Sequence, residues 1–550
     1  MRMFKELIST KSSKGSSAGR LRQRGGVGLT LSLLITLTAC TGQDPEKGTI
    51  GYVTGYLGGV VADEPRAALV GRDVLSAGGS AADAAAAVYF ALAATMPSSA
   101  GLGAGGVCLT HNREDGKVEA LEFLPRATRE TGKLATAVPI GPRAFYALQA
   151  RYGKLQWGQV VAPAEQLARF GNQVSRALAT DLDRHGEALV SDPATARIFA
   201  TKSGKPAGEG AYLTQLDLAA TLAVIRSQGP GDFYVGRLSR TLVAAVAAMG
   251  GTLSAADLVS ARPTWLVPLQ IEFGHKTAHF PPPPSYAGSV AAQMWGLLEA
   301  DDLYADTPAE GRLHLLAEAA MRAYGGRAAL LEKQLSPDNL TTQATLEKLA
   351  DSLDPDRHTS ADSLVPPPRG LRQDSSETSF VVVDPEGSAV VCNLSLNAPF
   401  GSQRIIPGLG FLLPAAPMTK AQPGLSMGPM MVTNHHVREF FFAAGSSGGV
   451  TAPTAMVNVA ARVLIGEERL ETAQAAKRVH NGGAPDVSFI ETGVTQAEMT
   501  SLTRRGHKVQ AVKRIGRVNA ISCPKGLPVR PDSCSVKADP RRFGLGLSAD

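Results

Sequence analysis

Two short hydrophobic runs near the middle of the chain form the clearest pattern in the sequence. Residues 378–384 are TSFVVVD and residues 389–396 are AVVCNLSL, and both runs favour β-strands. Between them stand Pro385, Glu386 and Gly387, which supply turn chemistry. The pattern therefore predicts two consecutive buried strands joined by a tight turn.

The segment before these strands has the opposite character. Residues 351–377 are polar and interrupted by prolines, so we expect a flexible segment that does not pack in a core. Thr378 stands where this segment meets the first strand. A hydroxyl residue there suggests an N-terminal nucleophile hydrolase, in which the chain cuts itself before the residue. The freed α-amine then acts as the base for the neighbouring hydroxyl.

Helical patterns dominate the part of the chain before this segment. Residues 79–95 are alanine-rich with Asp83 near the start, which predicts a helix with an acidic first turn. Helical patterns also cover 141–248 and 310–331, whereas strand patterns dominate after Thr378. No internal repeat is visible, and the sequence predicts one α/β unit.

The first 39 residues predict an export signal. Seven basic residues and one acidic residue lie within 1–24, and 27–39 is an apolar run too short to span a bilayer. The run ends in LTAC, which resembles a bacterial lipobox with Cys40 as the lipidated first residue of the mature chain. The alternative is an ordinary signal peptidase site with an incidental cysteine. We expect an exported protein on the periplasmic face of a bacterial membrane, anchored at Cys40.

The charge balance gives no indication of nucleic-acid binding. The formal net charge is +6, and the signal contributes seven minus one, so the mature chain is formally neutral. His435 and His436 fall at a predicted hairpin tip, where adjacent side chains point to opposite faces. We therefore predict no shared metal ion there.

The remaining cysteines divide into two pairs. Cys523 and Cys534 flank a loop containing proline and glycine, so an oxidising compartment would allow a local disulfide. Cys108 and Cys392 lie inside apolar runs, which favours buried thiols.

Seven sequence blocks, in order from about residue 55 to the C-terminus, resemble the γ-glutamyltransferase (γ-glutamyltranspeptidase) family. Among them, YGKLQWGQVVAPAEQLARFGNQVS resembles the family's "KYGKLPW" block and GSSGG its second glycine pair. The blocks are 75–106, 152–175, 217–236, 250–258, 281–288, 445–449 and 538–544.

The resemblance implies an αββα four-layer sandwich of the N-terminal nucleophile type. It also implies a precursor cut into two subunits that stay together, with a large-subunit region at 40–377 and a small-subunit region at 378–550. The implied reaction moves a γ-glutamyl or other acyl group from a small-molecule amide to water or an amine. No metal or organic cofactor is required for this chemistry.

The family's nucleophile position is altered in this chain. The family's small subunit opens with threonine in a "TTH.SVVD" context, and alignment on Asp384 and Asn397 places that position on Glu377. A glutamate cannot perform the N→O acyl shift that frees the new terminus. Either the cut has moved to Thr378, which needs a rearranged first residue because neighbouring strand residues face opposite ways, or self-cleavage is lost.

Other parts of the implied apparatus are retained. Ser395 and Asn397 stand in the family's "TLN" triplet, where the hydroxyl supports the nucleophile and the amide binds substrate. Gly448 and Gly449 would donate backbone N–H groups to the oxyanion, although a plain turn is the alternative. Ser426 is the remaining serine of the substrate-binding "LSSMSP" motif.

The charged anchors for a γ-glutamyl group are replaced. Leu124 takes the place of the family's carboxylate-binding arginine, and Met418 lies in the stretch that replaces the acidic pair. Arg126 could reach the same substrate carboxylate or lie on the surface. The substrate is then a γ-glutamyl compound held differently or another amide, such as an acylated amine. Glu377, with Leu124 and Met418, also favours a rival function, an uncleaved pseudoenzyme that acts as an envelope binding protein.

Overall fold

The computed structural model describes residues 55–130, 132–333, 336–364, 376–417 and 426–549. From residue 54 onward the chain folds as one unit. No helix in the described ranges is long and apolar enough to cross a membrane.

Several sequence predictions fall outside the described residues. They concern the export signal at 1–39, lipidation of Cys40, the replaced acidic pair at Met418, and residues 365–375 of the pre-cleavage segment. These predictions stay predictions.

The helices alternate with strands in the first half of the chain and cluster again after the central strands. In chain order they are α1 (Pro65–Ser76), α2 (Ala81–Thr95), α3 (Gly141–Tyr152), α4 (Trp157–Phe170), α5 (Arg176–Val190), α6 (Pro193–Phe199), α7 (Leu216–Gln228), α8 (Gly231–Val235), α9 (Arg237–Ala248), α10 (Ala255–Ser260), α11 (Tyr286–Glu299), α12 (Leu303–Asp306), α13 (Arg312–Leu331), α14 (Gln343–Asp351), α15 (Ala452–Leu464), α16 (Leu470–Ala475) and α17 (Gln496–Arg504).

The strands come from both predicted subunit regions. In chain order they are β1 (Gly58–Ala62), β2 (Gly105–His111), β3 (Val118–Phe123), β4 (Arg126–Ala127), β5 (Ala137–Val138), β6 (Asn172–Gln173), β7 (Tyr212–Leu213), β8 (Thr264–Leu266), β9 (Leu269–Phe273), β10 (Lys276–Phe280), β11 (Glu377–Val383), β12 (Ala389–Ser395), β13 (Met430–Asn434), β14 (Glu439–Ser447), β15 (Val479–His480), β16 (Ser488–Glu491), β17 (Val509–Val512), β18 (Arg517–Leu527), β19 (Ser535–Lys537) and β20 (Leu545–Ala549).

Two antiparallel sheets form the centre of the fold. The first has the order β20-β1-β11-β12-β2-β3-β8, and the second has the order β19-β18-β14-β13-β10-β9. Strand β11 pairs with β12 through the turn at 385–387, as the sequence pattern predicts. On its other side β11 pairs with β1 along Phe380–Val383, so β11 is an inner strand of the sheet.

Three apolar layers hold the sheets and helices together. Between the sheets, Val381 and Val391 of the first sheet pack with Ala443 and Ile521 of the second. The outer face of the first sheet packs against α1–α4 and the helices near them, and the outer face of the second packs against α11, α13 and α15. The result is a four-layer αββα sandwich, in agreement with the predicted architecture.

Helix α2 shows how local sequence and packing agree. Ser80 caps the helix, because its hydroxyl accepts the N–H of Asp83 while the Asp83 carboxylate accepts the N–H of Ser80. Every residue of the helix is buried, and the small alanines allow it to pack closely between the first sheet and α4. The helical prediction for 79–95 is confirmed. The expectation that strands dominate after Thr378 is correct only in part, since α15–α17 also lie there.

Both cysteine pairs form disulfides. Cys523 is joined to Cys534, in agreement with the prediction for that loop. Cys108 is joined to Cys392, so the prediction of two buried thiols is wrong. The two residues lie 284 positions apart but directly opposite each other on β2 and β12, a register that the sequence alone does not reveal.

The histidine pair also departs from expectation. His435 and His436 are exposed residues of the turn between β13 and β14, so the predicted hairpin tip is confirmed. Their ring centroids are 3.8 Å apart, so the prediction that the side chains point to opposite faces is wrong. Alternation applies within a strand and does not extend into a turn.

Candidate active site

The head of β11 presents Glu377 and Thr378 on opposite faces of the first sheet. Glu377 faces the second sheet and Thr378 faces the helical layer, because side chains alternate along a strand. The contacts of these two neighbours therefore define two separate environments.

The Glu377 carboxylate lies against Gly448 and Gly449. Its Oε2 atom accepts the backbone N–H of Gly448 at 3.0 Å and that of Gly449 at 2.8 Å, and Ser426 adds a side-chain hydrogen bond. Glu377 is only 3% exposed. Burial raises the pKa of Glu377, and the three hydrogen bonds oppose that rise by favouring the charged form. The N–H groups of Gly448 and Gly449 therefore form a binding site for a carboxyl oxygen, and the side chain of Glu377 occupies that site.

The backbone around Gly448 and Gly449 explains why two N–H groups converge. The two glycines link β14 to α15, and their φ angles of +138° and +61° lie in the region that favours glycine. A Cβ on Gly448 would lie 2.7 Å from the Cα of Gly516. The following helix α15 adds the partial positive charge of its N-terminus. The segment is a turn, as the alternative interpretation holds, and both of its N–H groups bond to a carboxyl oxygen.

Thr378 bonds to a carboxylate on the other face of the strand. Its hydroxyl donates to Oδ2 of Asp63 at 3.0 Å, and the N–H of Ser379 donates to the same atom at 3.3 Å. Asn519 donates to Oδ1 of Asp63 at 3.1 Å, and both Thr378 and Asp63 are fully buried. The hydroxyl of Thr378 therefore lies away from Gly448. Its role as nucleophile stays a prediction, and in this arrangement it requires the first residue to turn.

Ser395 lies beside Glu377 rather than beside the Thr378 hydroxyl, and Asn397 is hydrogen-bonded to Ser395. Ser395 is directly opposite Glu377 in the β11–β12 register. Its Oγ atom accepts the N–H of Asn397 at 2.9 Å and lies 3.4 Å from the Oγ of Ser376. The side-chain amide of Asn397 donates to the Ala415 carbonyl at 2.8 Å. The roles of Ser395 in supporting the nucleophile and of Asn397 in binding substrate stay predictions.

Arg517 is a site residue that the sequence interpretation missed. Its Nη2 atom donates to the main-chain carbonyl of Glu377 at 3.3 Å, and its Nε atom donates to Oγ of Ser447 at 2.9 Å. Burial lowers the pKa of Arg517 to about 10, so the guanidinium remains charged at neutral pH. Asp63 and Asn519 were missed as well. Each is a polar residue within or at the end of an apolar run, but nothing in the sequence pairs it with β11.

The surroundings of Leu124 and Arg126, where the family holds the substrate carboxylate, are apolar and acidic. Leu124 is buried with Val107 and Met427, and Met427 directly follows Ser426. Arg126 is engaged elsewhere, since its Nη2 atom pairs with Glu122 Oε2 at 2.8 Å. The other oxygen of Glu122 accepts the N–H of Leu124 at 2.7 Å. No free cation stands at this position among the described residues.

A buried histidine cluster is the one group with metal-ligand chemistry found in the described ranges. His314, Glu318 and His507 place one ligand atom each within 4.8 Å of the others. His314 donates to the Asp354 carbonyl through Nε2, and its Nδ1 lies 2.7 Å from Nε2 of His507. Glu318 pairs with both Arg322 and His358 at 2.6 Å. These hydrogen bonds account for the cluster without an ion, and they connect α13 to the chain segments around it.

The sandwich and the backbone donors facing the head of β11 define an N-terminal nucleophile hydrolase fold. The Gamma-glutamyltranspeptidase family model matches residues 67–548, and the chain belongs to this family.

The similar proteins include some named glutathione hydrolase and others named acylase. The glutathione hydrolase proenzyme of Escherichia coli strain K12 is 27% identical over 86% of this chain and 90% of that protein. The acylase ACY 1 proenzyme of Pseudomonas sp. strain SE83 is 30% identical over 85% of this chain and 90% of that protein. The crystal structure of cephalosporin acylase from Bacillus halodurans superposes with a TM-score of 0.76, covering 92% of this chain and 99% of its own at 23% identity. That structural similarity supports the fold.

Proposed function

We propose that this chain is the precursor of an amide hydrolase or acyl transferase that cuts itself before Thr378. The observation that carries the proposal is the convergence of the Gly448 and Gly449 N–H groups on one buried carboxyl oxygen, at 3.0 and 2.8 Å. Acyl transfer needs such a pair, because donors about 2.7–3.1 Å from the developing oxyanion lower the barrier. The Glu377 carboxyl oxygen occupies the place of that oxyanion.

Self-cleavage would prepare the site in one step. The bond between Glu377 and Thr378 keeps the Glu377 side chain in the carboxyl-binding site and holds Thr378 in its strand direction. After the cut, Glu377 ends the large piece and is free to leave. Thr378 becomes the first residue of the small piece, so its hydroxyl can turn toward Gly448 and Gly449 while its α-amine serves as base. Ser395 would then support the nucleophile, and Asn397 and Ser426 would contact the substrate.

The surroundings favour an uncharged acyl group over a γ-glutamyl group. The apolar cluster of Leu124, Val107 and Met427 replaces a cationic anchor, and Arg126 is paired with Glu122. The buried Glu122 carboxylate would also repel a substrate carboxylate. The similarity to the acylase ACY 1 proenzyme agrees with this preference. We therefore propose an acylated amine as the substrate class.

The disulfides agree with an enzyme that acts outside the cytoplasm. Two disulfides in one chain fit an oxidising compartment such as the periplasm. The proposed route is the signal at 1–39 with lipidation of Cys40, so that the membrane is contacted only through the lipid anchor. The proposal requires no nucleic acid, metal or cofactor.

A second candidate is an uncleaved binding protein of the envelope. It is favoured by the position of Glu377 in the carboxyl-binding site and by the hydroxyl of Thr378 on the opposite face. In this case the protein would bind a ligand without catalysing a reaction.

N-terminal sequencing and intact mass of the mature chain separate the two candidates. If the bond between Glu377 and Thr378 is cut, we expect two pieces, and the smaller one should start at Thr378. Thr378→Ala should stay intact and inactive, whereas Thr378→Ser, which keeps a hydroxyl, should still be cut. One intact wild-type chain that remains folded over days would refute self-cleavage and leave the binding protein.

A matched series of p-nitroanilides tests the substrate class. The γ-glutamyl, glutaryl and pentanoyl amides have acyl chains of similar length and lose first the α-amine and then the carboxylate. We expect kcat/KM to rise along the series because Leu124 takes the place of the partner for the carboxylate, Glu122 repels that carboxylate, and residues 413–419 contain no acidic partner for the α-amine. Each missing charge-assisted bond costs about 1.5–3 kcal/mol. The kcat/KM of the pentanoyl amide should therefore exceed that of the γ-glutamyl amide by about 100-fold or more. A preference for the γ-glutamyl amide would contradict the proposal.

A further inference from the structure

We propose that Asp63 and Arg517 are the catalytic residues of the self-cleavage step. Asp63 takes the proton of the Thr378 hydroxyl, and Arg517 stabilises the charge that develops on the Glu377 carbonyl oxygen. This inference rests on the proposed cut before Thr378 and goes further by naming the groups that perform it.

The position of Asp63 is that of a general base. It directly follows β1, and its Oδ2 atom lies 3.0 Å from the Thr378 hydroxyl, within the distance needed for direct proton transfer. Asn519 donates to its second oxygen at 3.1 Å and to the Ser379 carbonyl at 3.0 Å. These bonds fix the carboxylate against β11. An Asp with no chemical role could also serve to tie β1 to β11, so the test must separate the two roles.

Arg517 approaches the bond to be cut from the second sheet. Its Nη2 atom lies 3.3 Å from the carbonyl oxygen of Glu377, which is the oxygen that becomes negative when the hydroxyl attacks. Within the described residues its hydrogen bonds go to this carbonyl and to Ser447, and none goes to a carboxylate. Its charge is therefore not neutralised by a direct ion pair there.

The self-cleavage step needs a hydrogen-bond donor other than Gly448 and Gly449. The N–H groups of Gly448 and Gly449 are already bonded to the Glu377 side chain. They are not bonded to its main-chain carbonyl, where the attack takes place. Arg517 donates a side-chain N–H to this carbonyl, and Asp63 stands on the face where the hydroxyl is.

The reaction balances with water as the only added reactant. Asp63 removes the hydroxyl proton, and Oγ1 of Thr378 bonds to the carbonyl carbon of Glu377 while the π electrons move to the oxygen facing Arg517. The intermediate collapses as the C–N bond breaks, and the nitrogen takes the proton from Asp63. The product is an ester between Glu377 and the Thr378 hydroxyl. Water then hydrolyses this ester and leaves a carboxylate on Glu377 and a free amine on Thr378.

The test follows cleavage in the full mature chain by gel and intact mass. Asp63→Asn keeps the size and the Asn519 contact but removes the base, so we expect cleavage at least about 100-fold slower. Arg517→Lys keeps the charge but shortens the reach to Glu377, and we expect slowing of about 10-fold or more. Asp384→Asn is the matched control, because Asp384 is another buried carboxylate on β11's sheet, bonded to the N–H of Ala81. It should cleave as the wild type does.

Hydroxylamine separates a chemical role from a structural one. It cuts esters, so it should sever the chain before Thr378 wherever the ester forms and accumulates. Asp63→Asn that melts cooperatively and resists hydroxylamine supports the proposal, because no ester forms without the base. Hydroxylamine cleavage of that variant, or spontaneous cleavage at the wild-type rate, overturns the role of Asp63.

The remaining outcomes separate this inference from the proposed function. A wild type that is cut before Thr378 but hydrolyses no amide removes the proposed function and leaves the inference in place. A wild type that stays intact overturns both. If Asp63→Asn does not fold, Asp63→Glu and Arg517→Lys decide, and wild-type cleavage rates in Arg517→Lys overturn the role of Arg517.

Discussion

The carboxyl-binding site at Gly448 and Gly449 can be tested by emptying it and refilling it. In a Thr378→Ala background, which keeps the chain in one piece, Glu377→Ala removes the atoms beyond Cβ. Those atoms correspond to acetate. The N–H groups of Gly448 and Gly449 then lose their acceptor, and we expect acetate from solution to bind in its place.

The expected stabilisation is small but measurable. Two hydrogen bonds to a charged acceptor contribute about 3–6 kcal/mol together. The loss of translational and rotational freedom on binding costs about 4 kcal/mol at the low end, so the upper value of about 6 kcal/mol for the two bonds gives acetate a Kd of about 30 mM. At about 300 mM acetate the folded state gains about 1.4 kcal/mol. For a chain of this size that raises Tm by about 1 °C.

Differential scanning fluorimetry at constant ionic strength would measure this shift. Acetamide has the same shape without the charge and should give little shift. The Thr378→Ala single variant should also give little shift, since Glu377 still fills the site. An equal acetate shift in the single and double variants would show that the effect is general, and no shift in the double variant would refute the assignment of these N–H groups as an anion site.

Two further predictions concern the disulfides and acid stability. Because Cys108 and Cys392 lie on either side of the proposed cut and are bonded, the cleaved protein should run as one band without reductant and as two with it, and two bands without reductant would contradict the pairing. His111 is buried, and burial lowers its pKa to about 4, so the stability it contributes is complete above its unfolded pKa of about 6.5 and falls between about pH 6.5 and 4. His111→Gln should reduce the loss of unfolding free energy over that interval by about 3 kcal/mol, as measured by denaturant titration at each pH, and an unchanged pH profile would contradict the burial argument.

The parts of the fold that local pattern determines could be predicted from the sequence. The run at 378–384, the turn at 385–387 and the run at 389–396 became β11, its turn and β12, because each carries its own propensity and the turn fixes the register. Helix α2 was predictable for the same reason, since Asp83 and the alanines act within a few residues. The resemblance to a known family supplied the layers that local pattern does not determine.

The contacts that define the candidate site are non-local, and most of them were missed. Asp63 and Thr378 are 315 positions apart, and Asn519 lies 456 positions from Asp63. Alignment did place Glu377 at the family's nucleophile position, but it did not show that the carboxylate would bond to Gly448 and Gly449. Those contacts depend on how the two sheets pack, which no local pattern encodes.

Side chains alternate between the two faces of the sheet along β11, and this alternation determines what a glutamate at position 377 does to the site. One residue of displacement carries a side chain to the other face of the sheet, so Glu377 and Thr378 belong to different environments although they share a peptide bond. The carboxylate that fills the anion site and the hydroxyl that we propose as nucleophile are therefore held by the same bond. As long as that bond is intact, the site is filled and the hydroxyl faces Asp63. Breaking it removes both obstacles at once, so every variant that blocks self-cleavage should also lack amide hydrolysis.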